Sequence, residues 1–455
     1  MAAEKEIIVA IEFGSSKIRG IAGRKNIDGS VQVLDIVQEN ARHCIRKGVI
    51  YNIDKTVLCI KTIIEKLEAE LGEKIVRVYA GIGGKSLQTM RNVVSRQLET
   101  KVVISSDLVE TLYQSNMETT YPDYEILQAV PQEYRIGTEL TVDPVGVLSN
   151  QLEARYLNVI ARRGVKEYIM TCLETAGLEV AGCFIAPLAL SECILTESER
   201  RSGCVLVDFG ADVTTVAVFK NNILRHMAVI PLGGNNITAD VATLQIEEEE
   251  AEDLKLKYGS AYADLNSEEL GKNVLINNIR TVEERELVEI IEARMEEILD
   301  NVWQQICLSG YRDKLNAGII ITGGTSNLKN IDQAITSRMG MDKIRLVRIV
   351  PMPLQLAHVE QLAKDGTLNT LIALLYSGNR ACTVLPEPEE KPVEEQVNTS
   401  LNENNENVNT ESEDVSGQAE QEEVKPVKKE KKPGFFSVFA KKISELSKKM
   451  VEPEE

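Results

Sequence analysis

Short apolar runs and tight polar turns alternate in two separate parts of the chain. The segment EIIVAIEFGSSKIRGIAG (6–23) has the pattern of a strand, a turn containing Gly14 and a second strand, and VQVLDIV follows as a third strand. The same pattern recurs 196 residues later in SGCVLVDFGADVTTVAVF, with a turn at Gly210. Helical patterns follow each copy, including a helix that we expect Asp54 to cap and an acidic helix over 247–259. The chain is therefore predicted to contain two similar α/β halves that face each other.

The two repeated turns also carry matching chemistry. Each follows a strand that ends with an acidic residue, Glu12 in the first copy and Asp208 in the second. Backbone N–H groups and hydroxyls of such turns can cradle phosphate oxygens, while carboxylates from two facing loops can hold Mg²⁺ through its waters. One such hairpin is more often purely structural. The matched pair favours a clamp for a metal and a nucleotide.

Two further glycine-rich junctions extend this pattern. Gly233-Gly234 leads from a strand into a helix, where backbone amides can face phosphate at the positive helix end. Gly323-Gly324 follows the buried-strand pattern IIIT, and the missing side chains would let a nucleoside approach the backbone. Between these junctions, Glu252 and Lys255 share one face of a helix, which by itself is also typical of a surface salt bridge.

Charge is distributed unevenly along the 455 residues, whose net charge is −19. Apolar patterning stops near Leu385, and residues 386–424 contain thirteen acidic residues and one lysine, which predicts a disordered linker. Residues 425–432 carry five lysines. On a helix over 435–450, one arc of about 100° is apolar and lysines flank it. The apolar positions are Phe435, Phe436, Phe439, Ile443, Leu446 and Met450, and the lysines are Lys441, Lys442, Lys448 and Lys449.

This C-terminal helix would be marginal alone in water and needs a surface on which to fold. An anionic membrane offers an apolar layer and a negative potential, and we prefer it to packing on a protein groove or on the chain's own body. No segment approaches the roughly 20 apolar residues of a spanning helix, and the N-terminus lacks the layout of a secretory signal, so we expect a cytoplasmic start. The eight cysteines lack a Cys-x-x-Cys pair, and we interpret them as reduced rather than metal-binding. We expect no nucleic-acid partner, because the basic cluster is joined to an apolar helical face.

The order of these elements resembles the actin/sugar-kinase/heat-shock-chaperone ATPase superfamily. Within it, the chain resembles the FtsA family of bacterial cell-division proteins over nearly all of residues 5–385 and at the C-terminal helix. The most similar segments are VPQEYRIGTELTVDPVGVLSNQLEARYLNVIA, RHMAVIPLGGNNITADVA and AGIIITGGTSNLKNI. The resemblance implies an α/β, actin-like two-lobed ATPase fold with duplicated ribonuclease-H-like halves and an FtsA-type 1C subdomain. The implied parts are lobe 1A (1–83), subdomain 1C (84–162), the connecting part of lobe 1A (163–202), lobe 2A (203–236), subdomain 2B (237–311), the remainder of lobe 2A with a return to 1A (312–385), the linker (386–432) and the membrane-targeting helix (433–450).

The resemblance further implies a protein that binds ATP and Mg²⁺, polymerises and tethers the FtsZ ring to the cytoplasmic face of the inner membrane at the division site. It would also help recruit other division proteins. Its nucleotide-binding residues, by motif position, would be Glu12, Gly14, Ser15, Ser16, Lys17, Asp208, Gly210, Thr214, Gly233, Gly234, Asn235, Glu252, Lys255, Gly323, Gly324 and Ser326, with Asp208 and Glu12 nearest the metal. A helix over 281–309 resembles the one that receives the FtsZ C-terminal peptide. Arg294 and Glu297 lie on its charged face, which is alternatively just solvated.

Several positions depart from the pattern of this superfamily. Ala186 stands where members that hydrolyse ATP well have Glu or Gln, and alanine can neither act as a base nor orient water. Ala211-Asp212 replaces a pair of glycines, and Asn330 stands where relatives often have Gly. We therefore expect ATP binding with weak or no ATPase activity. The alternatives on the same fold are a small-molecule kinase and the actin-like ATPase of type IV pilus assembly.

Overall fold

A computed structural model describes residues 6–26, 28–263, 273–276, 280–357 and 362–383. The predicted linker, the amphipathic helix and all the residues predicted to contact a membrane lie outside these ranges. Within the described ranges, we find no helix with both the length and the apolar content needed to cross a bilayer.

Groups of strands and helices follow one another along the described residues. The strands are β1 (Ile7–Phe13), β2 (Lys17–Lys25), β3 (Val31–Asn40), β4 (Ile45–Arg46), β5 (Val49–Ile50), β6 (Arg77–Ile82), β7 (Gln88–Val103), β8 (Tyr124–Ile136), β9 (Glu139–Thr141), β10 (Leu148–Arg162), β11 (Glu179–Ile185), β12 (Cys204–Phe209), β13 (Thr214–Lys220), β14 (Ile223–Ile230), β15 (Asn273–Ile276), β16 (Arg280–Glu283), β17 (Gly318–Thr322), β18 (Ile344–Leu346) and β19 (Leu354–Leu356). The α-helices are α1 (Ile53–Leu71), α2 (Ser106–Met117), α3 (Val165–Thr175), α4 (Ala186–Ile194), α5 (Glu197–Ser202), α6 (Gly234–Ala242), α7 (Glu248–Tyr258), α8 (Glu284–Ser309), α9 (Ile331–Met339) and α10 (Asn369–Ser377).

Two large sheets organise these elements. The first has the strand order β11-β6-β1-β2-β3-β19, and the second has the order β18-β17-β12-β13-β14-β7-β10-β8-β9. In the second sheet, β14 joins β7 through the pair Ala228 and Gln88. Strands β7 to β10 thus extend the sheet that carries the second repeated turn.

The strand registers confirm the duplication that the sequence predicts. In the first copy, β1 pairs antiparallel with β2 and places Glu12 opposite Arg19. In the second copy, β12 pairs antiparallel with β13 and places Asp208 opposite Thr215, each residue being 196 positions beyond its counterpart. Both copies continue into a third antiparallel strand, β3 or β14.

Strands β12 and β17 of the second sheet are buried on both faces, which explains their continuous apolar runs. In β12, Leu206 belongs to one hydrophobic core, while its neighbours Val205 and Val207 belong to another. In β17, Ile320 faces the first core and Ile319 and Ile321 face the second. Because successive side chains of a strand point to opposite faces, a strand between two cores needs apolar residues at every position.

Two predicted helix starts need correction. Asn52, not Asp54, caps α1: its side chain accepts a hydrogen bond of 3.0 Å from the Lys55 amide. Asn52 has an extended backbone that allows this bond, whereas Asp54 lies inside the first turn, where its charge complements the helix dipole. The helix predicted over 281–309 begins only at Glu284, because Val282 and its neighbours pair with β15 as strand β16.

Candidate functional site

Each of the two repeated turns depends on its glycine. A Cβ on Gly14 would lie 2.7 Å from the carbonyl oxygen of Lys17, and a Cβ on Gly210 would lie 2.8 Å from that of Val213. These distances are well below van der Waals contact, so a side chain at either position would open the turn. Gly210 also donates its amide to the Val213 carbonyl at 2.9 Å.

The structure brings the two acidic strand ends together. Burial raises the pKa of Asp208 to about 7, the charge of Glu12 adds to the rise and Arg19 opposes it. Burial also raises the pKa of Glu12, although Arg19 lies 3.4 Å from its carboxylate. Two partly buried carboxylates opposed by one arginine form a site that a cation would stabilise.

The chemistry of this pair fits Mg²⁺. Mg²⁺ is ordinarily held by one or two carboxylates together with phosphate oxygens and waters, rather than by a cage of protein ligands. The described part of the chain contains no cluster of three or more His, Cys, Asp or Glu side chains suited to a metal. The donor set of Glu12 and Asp208 therefore matches a metal that arrives with a phosphate ligand.

The remaining residues of the first turn have distinct positions. The Ser15 hydroxyl accepts a hydrogen bond of 2.8 Å from the Gly48 amide, and the Ser16 carbonyl accepts one of 3.0 Å from the Ala41 amide. Burial and the nearby Arg19 lower the pKa of Lys17, and Asp365 opposes this change. Ser15 thus faces a loop that the motif pattern does not include.

In the second turn, Thr214 and Asp212 differ in what they contact. Thr214 is fully buried and donates its hydroxyl to the Leu232 carbonyl at 2.9 Å, so it fastens the turn to the end of β14. Asp212 accepts a hydrogen bond of 2.6 Å from the Asn235 side chain and one of 2.9 Å from the Lys47 amide. The carboxylate of Asp212 therefore links the two repeated halves.

The junction at Gly233 begins helix α6, as predicted, but its amides have protein acceptors. Gly234 donates to the Gly210 carbonyl at 3.0 Å, and Asn235 donates to the Ala211 carbonyl at 2.7 Å. Gly233 itself donates to the Asn236 side chain at 3.0 Å. These bonds seat the helix start on the second turn, and Asn235 and Asn236 are the junction residues that line the cavity described below.

Lys255 and Glu252 form a buried cluster rather than a surface salt bridge. Lys255 is 6% exposed, and its ammonium donates to Glu252 at 2.7 Å, to Thr238 at 2.9 Å and to the Gly234 carbonyl at 3.1 Å. Burial lowers the pKa of Lys255, although Glu252 acts to raise it. The cluster therefore lies directly against the start of α6.

The third glycine-rich segment packs against the second turn. Gly323 has a φ of +91°, and a Cβ there would lie 2.4 Å from the Asp208 carboxylate. Beyond Gly324, the Thr325 hydroxyl donates to the Gly210 carbonyl at 3.0 Å. Ser326 is 1% exposed and donates its hydroxyl to the Gly323 carbonyl at 2.6 Å. The segment thus closes around Asp208, and the Ser326 hydroxyl is already engaged within it.

A cavity of about 300 Å³ opens beside these loops. Ser15 and Asn235 of its lining were predicted from sequence as nucleotide-binding residues, and Asp212 was noted only as a departure from the superfamily pattern, but the rest of its charged lining was not predicted. The residues that sequence reasoning missed are Arg42, Ile45, Arg46, Lys47, Asn236, Thr238 and Glu248. The Lys-Gly pair at 47–48, between two short apolar stretches, is the signal of a tight hairpin that could have drawn attention to this segment.

The predicted partner residues on α8 are paired within the chain. Arg294 donates to the Asp240 carboxylate of α6, with one nitrogen–oxygen distance of 2.9 Å, and also pairs with Glu297. These contacts raise the pKa of Arg294, with the Asp240 hydrogen bond as the largest cause. The Arg294 side chain keeps 26% exposure.

Ala186, the position where a water-orienting side chain is absent, is the first residue of α4.

Comparison with known proteins gives consistent matches. A family model described as "Cell division protein FtsA" matches residues 205–366, and one described as "SHS2 domain inserted in FTSA" matches residues 84–160. The cell division protein FtsA of Porphyromonas gingivalis (strain ATCC BAA-308 / W83) is 30% identical over 389 residues, which cover 83% of this chain and 79% of that protein. FtsA of Neisseria meningitidis serogroup B is 29% identical over 404 residues, covering 87% of this chain and 96% of that protein.

Among solved structures, the PilM-PilN type IV pilus biogenesis complex contains a chain with the same fold. It aligns with a TM-score of 0.56 and 14% identity, covering 81% of this chain and 97% of that chain. The predicted α/β, actin-like fold is confirmed. Because relatives at about 30% identity match along most of their length and both family models fit, the chain belongs to the FtsA family of cell-division proteins.

Proposed function

We propose that this cell-division protein binds ATP with Mg²⁺ between its two halves. The observation that carries the proposal is the meeting of Glu12 and Asp208, two partly buried acidic strand ends beside glycine turns that exclude side chains. Mg²⁺, when bound, would neutralise charge on the phosphates and on this pair. The chain's own turns would bind and orient the phosphates, and the buried Lys255 cluster would lie near the nucleoside.

Calorimetric titration of the full chain with Mg-ATP tests this proposal. Saturable binding is expected, and it should weaken at least about 10-fold for Asp208→Asn, because one of two metal-facing carboxylates is lost. Asp143→Asn, an exposed carboxylate in the loop between β9 and β10, is the matched control and should bind as the wild type does. Equal affinity of Asp208→Asn and the wild type would contradict the assignment of the metal site.

We further propose that ATP acts as a conformational and assembly ligand with slow or absent turnover. Ala186 provides no group to orient a water molecule, so a bound nucleotide would persist and favour the closed, polymer-competent arrangement. Nucleotide-dependent assembly without matching phosphate release is the expected result, measured by sedimentation and phosphate release on the same samples. Fast release that scales with polymer would contradict this role.

The partner that best suits helix α8 is the C-terminal peptide of FtsZ. Arg294 is partly exposed and is held by the carboxylates of Asp240 and Glu297, so an acidic peptide group would exchange with one of them. Arg294→Glu should weaken peptide binding about 10-fold, as expected for reversing one ion pair. Arg312→Glu, which reverses another exposed arginine, is the control. Unchanged peptide affinity in Arg294→Glu would remove this residue from the interface.

The C-terminal segment, outside the described residues, would tether the protein to the inner membrane and so place FtsZ and other division proteins at the division site. Replacing Phe435, Phe436 and Phe439 with serine should abolish co-sedimentation of the full chain with anionic vesicles, because all the aromatic side chains of the apolar arc are lost. Serine at three linker positions, Asn402, Asn404 and Asn405, is the matched control. Vesicle binding by the triple phenylalanine variant at the wild-type level would contradict the tether.

A further inference from the structure

A rigid two-residue turn lies between the two repeated halves. Strands β4 and β5 pair as a hairpin whose loop is Lys47-Gly48, with φ values of +50° and +70°. Positive φ at both central positions is typical of a type I′ turn, which holds its amides in a fixed direction. A Cβ on Gly48 would lie 2.6 Å from the Gly84 Cα, so the backbone of Gly84 packs closely against the turn.

The two successive amides of this turn reach different repeats. The Gly48 amide donates to the Ser15 hydroxyl of the first turn at 2.8 Å, and the Lys47 amide donates to Asp212 of the second turn at 2.9 Å. Successive backbone N–H groups in such a conformation form a concavity suited to an anion. In the structure, the anion at the Lys47 amide is the carboxylate of Asp212, whose second oxygen accepts from Asn235 at 2.6 Å.

The surroundings of the turn carry surplus positive charge. Arg42, Arg46 and Lys47 line the cavity of about 300 Å³, and the carboxylates in that lining are Asp212 and Glu248. Arg42 lies 3.6 Å from Glu248, which leaves Asp212 to face the other cations. Without the charge of Asp212, this lining would carry three cations and one carboxylate, the balance expected around a polyanion.

We propose that the Lys47-Gly48 turn is a third anion-binding element of the nucleotide site, and that Asp212 occupies it until a nucleotide phosphate takes its place. Asp212 is thus a specificity-determining residue. It closes the ligand-free site by linking the halves, and it opposes every negative charge that enters. This inference rests on the proposed nucleotide binding. It adds that Asp212 controls how the nucleotide affinity depends on the number of phosphates and on the metal.

The position of Asp212 predicts how ligands are discriminated. A nucleotide with more phosphates must displace the carboxylate, whereas adenosine leaves it in place. Metal-free ATP carries more negative charge than Mg-ATP and is therefore opposed more strongly. The equivalent residue of the first turn, 196 positions earlier, is the uncharged Ser16, so Asp212→Ser gives the second turn the residue that the first already carries.

Calorimetric titration of full-chain wild type and Asp212→Ser with ATP, ADP and adenosine, each with and without Mg²⁺, tests the proposal. The variant should bind metal-free ATP about 10-fold tighter, gain less for ADP and bind adenosine unchanged. Asp143→Ser, which removes an exposed carboxylate that also accepts a backbone amide, should change none of these affinities. Equal ATP affinities of variant and wild type would overturn the role of Asp212 alone. Weaker Mg-ATP binding by the variant would also overturn it, since Asp212 would then be supporting the metal. The absence of ATP binding in both proteins would overturn the proposed nucleotide site itself.

Amide hydrogen exchange provides a readout that needs no ligand. In ligand-free wild type, the Lys47 amide should be protected by its bond to Asp212, and Asp212→Ser should speed its exchange. Addition of ATP should restore protection in the variant, because phosphate would then accept from the same amide. Exchange at Lys47 that is equally fast in the two ligand-free proteins would contradict the occupancy of the turn by Asp212.

Discussion

Replacing Asp208 with asparagine should stabilise the ligand-free protein by an amount that grows with pH. The pKa of this carboxyl is about 7 in the folded chain, against 3.8 ordinarily, because burial and Glu12 disfavour its charged form. A folded state that holds a proton more tightly than the unfolded chain loses stability as the pH rises between the two pKa values. At pH 8, where Asp208 is mostly charged, its ionisation therefore destabilises the fold by about 4 kcal/mol, whereas at pH 5 the folded chain keeps the carboxyl protonated and the cost is less than about 2 kcal/mol. Asparagine keeps the shape and removes the charge, so its benefit should be about 2 to 3 kcal/mol larger at pH 8.

Urea unfolding between pH 5 and pH 8 measures this difference. Trp303 is the single tryptophan and packs on the core that contains Phe209, the neighbour of Asp208, so its fluorescence reports the relevant half of the molecule. Asp143→Asn is the control, because that carboxylate is exposed and should not alter the pH dependence. An Asp208→Asn variant that is no more stable than wild type at pH 8, or whose gain is equal at pH 5 and pH 8, would refute the reasoning. A confirmed gain, together with weaker Mg-ATP binding, would show that the site holds its charge at the expense of stability.

Two further predictions concern the frame of the site. Gly48→Ala should lower the free energy of unfolding by about 2 kcal/mol or more, because φ is positive there and the new Cβ would lie 2.6 Å from the Gly84 Cα. Gly29 also has a positive φ but lies in open space, so Gly29→Ala should lower the free energy of unfolding by only about 1 kcal/mol. Chemical denaturation of both variants checks the difference, and equal costs would contradict it. Arg345 makes two hydrogen bonds of 2.7 and 2.9 Å to Glu199, so Arg345→Ala should cost about 1 to 2 kcal/mol at pH 7. Burial acts to raise the pKa of Glu199, but Arg345 and Thr196 outweigh it and the pKa is lowered, so this contribution should be lost as the pH falls from 4.5, the ordinary value of a glutamate, through the lowered pKa. A double-mutant cycle with Glu199→Ala at pH 7 and pH 4 tests it, and a coupling that does not weaken with acid would contradict it.

The elements that repeat along the chain were accessible from sequence because their causes are local. Alternating apolar residues, acidic strand ends and the two obligatory glycines at 14 and 210 predicted both hairpins and their offset, and the strand registers match that offset. The continuous run Ile319–Ile321 similarly predicted a buried strand. Boundaries were less accessible where a tertiary partner decides them, as at Val282, which joins a strand because β15 lies beside it.

Within the site, the residue types were predictable from the sequence, but their contacts were not. Glu12 and Asp208 were predicted because each belongs to a local motif. The hairpin at Lys47-Gly48 was missed because its importance comes from contacts with the turns of both repeats, 33 and 165 residues away along the chain. Arg294 was expected to face a partner, and the structure shows that Asp240 of α6 already holds it.

The sequence by itself determined that this protein has two matched α/β halves, acidic strand ends, glycine turns and a charged, phenylalanine-rich C-terminal segment. Only the tertiary structure decided that the carboxylates of Glu12 and Asp208 lie near each other, that Lys255 is buried rather than solvated and that Asp212 bridges the halves. The physical reason is that periodicity and turn chemistry act between neighbours in the chain. Burial, pKa and the choice of hydrogen-bond partner, in contrast, depend on groups that only the folded arrangement brings within a few ångströms of one another.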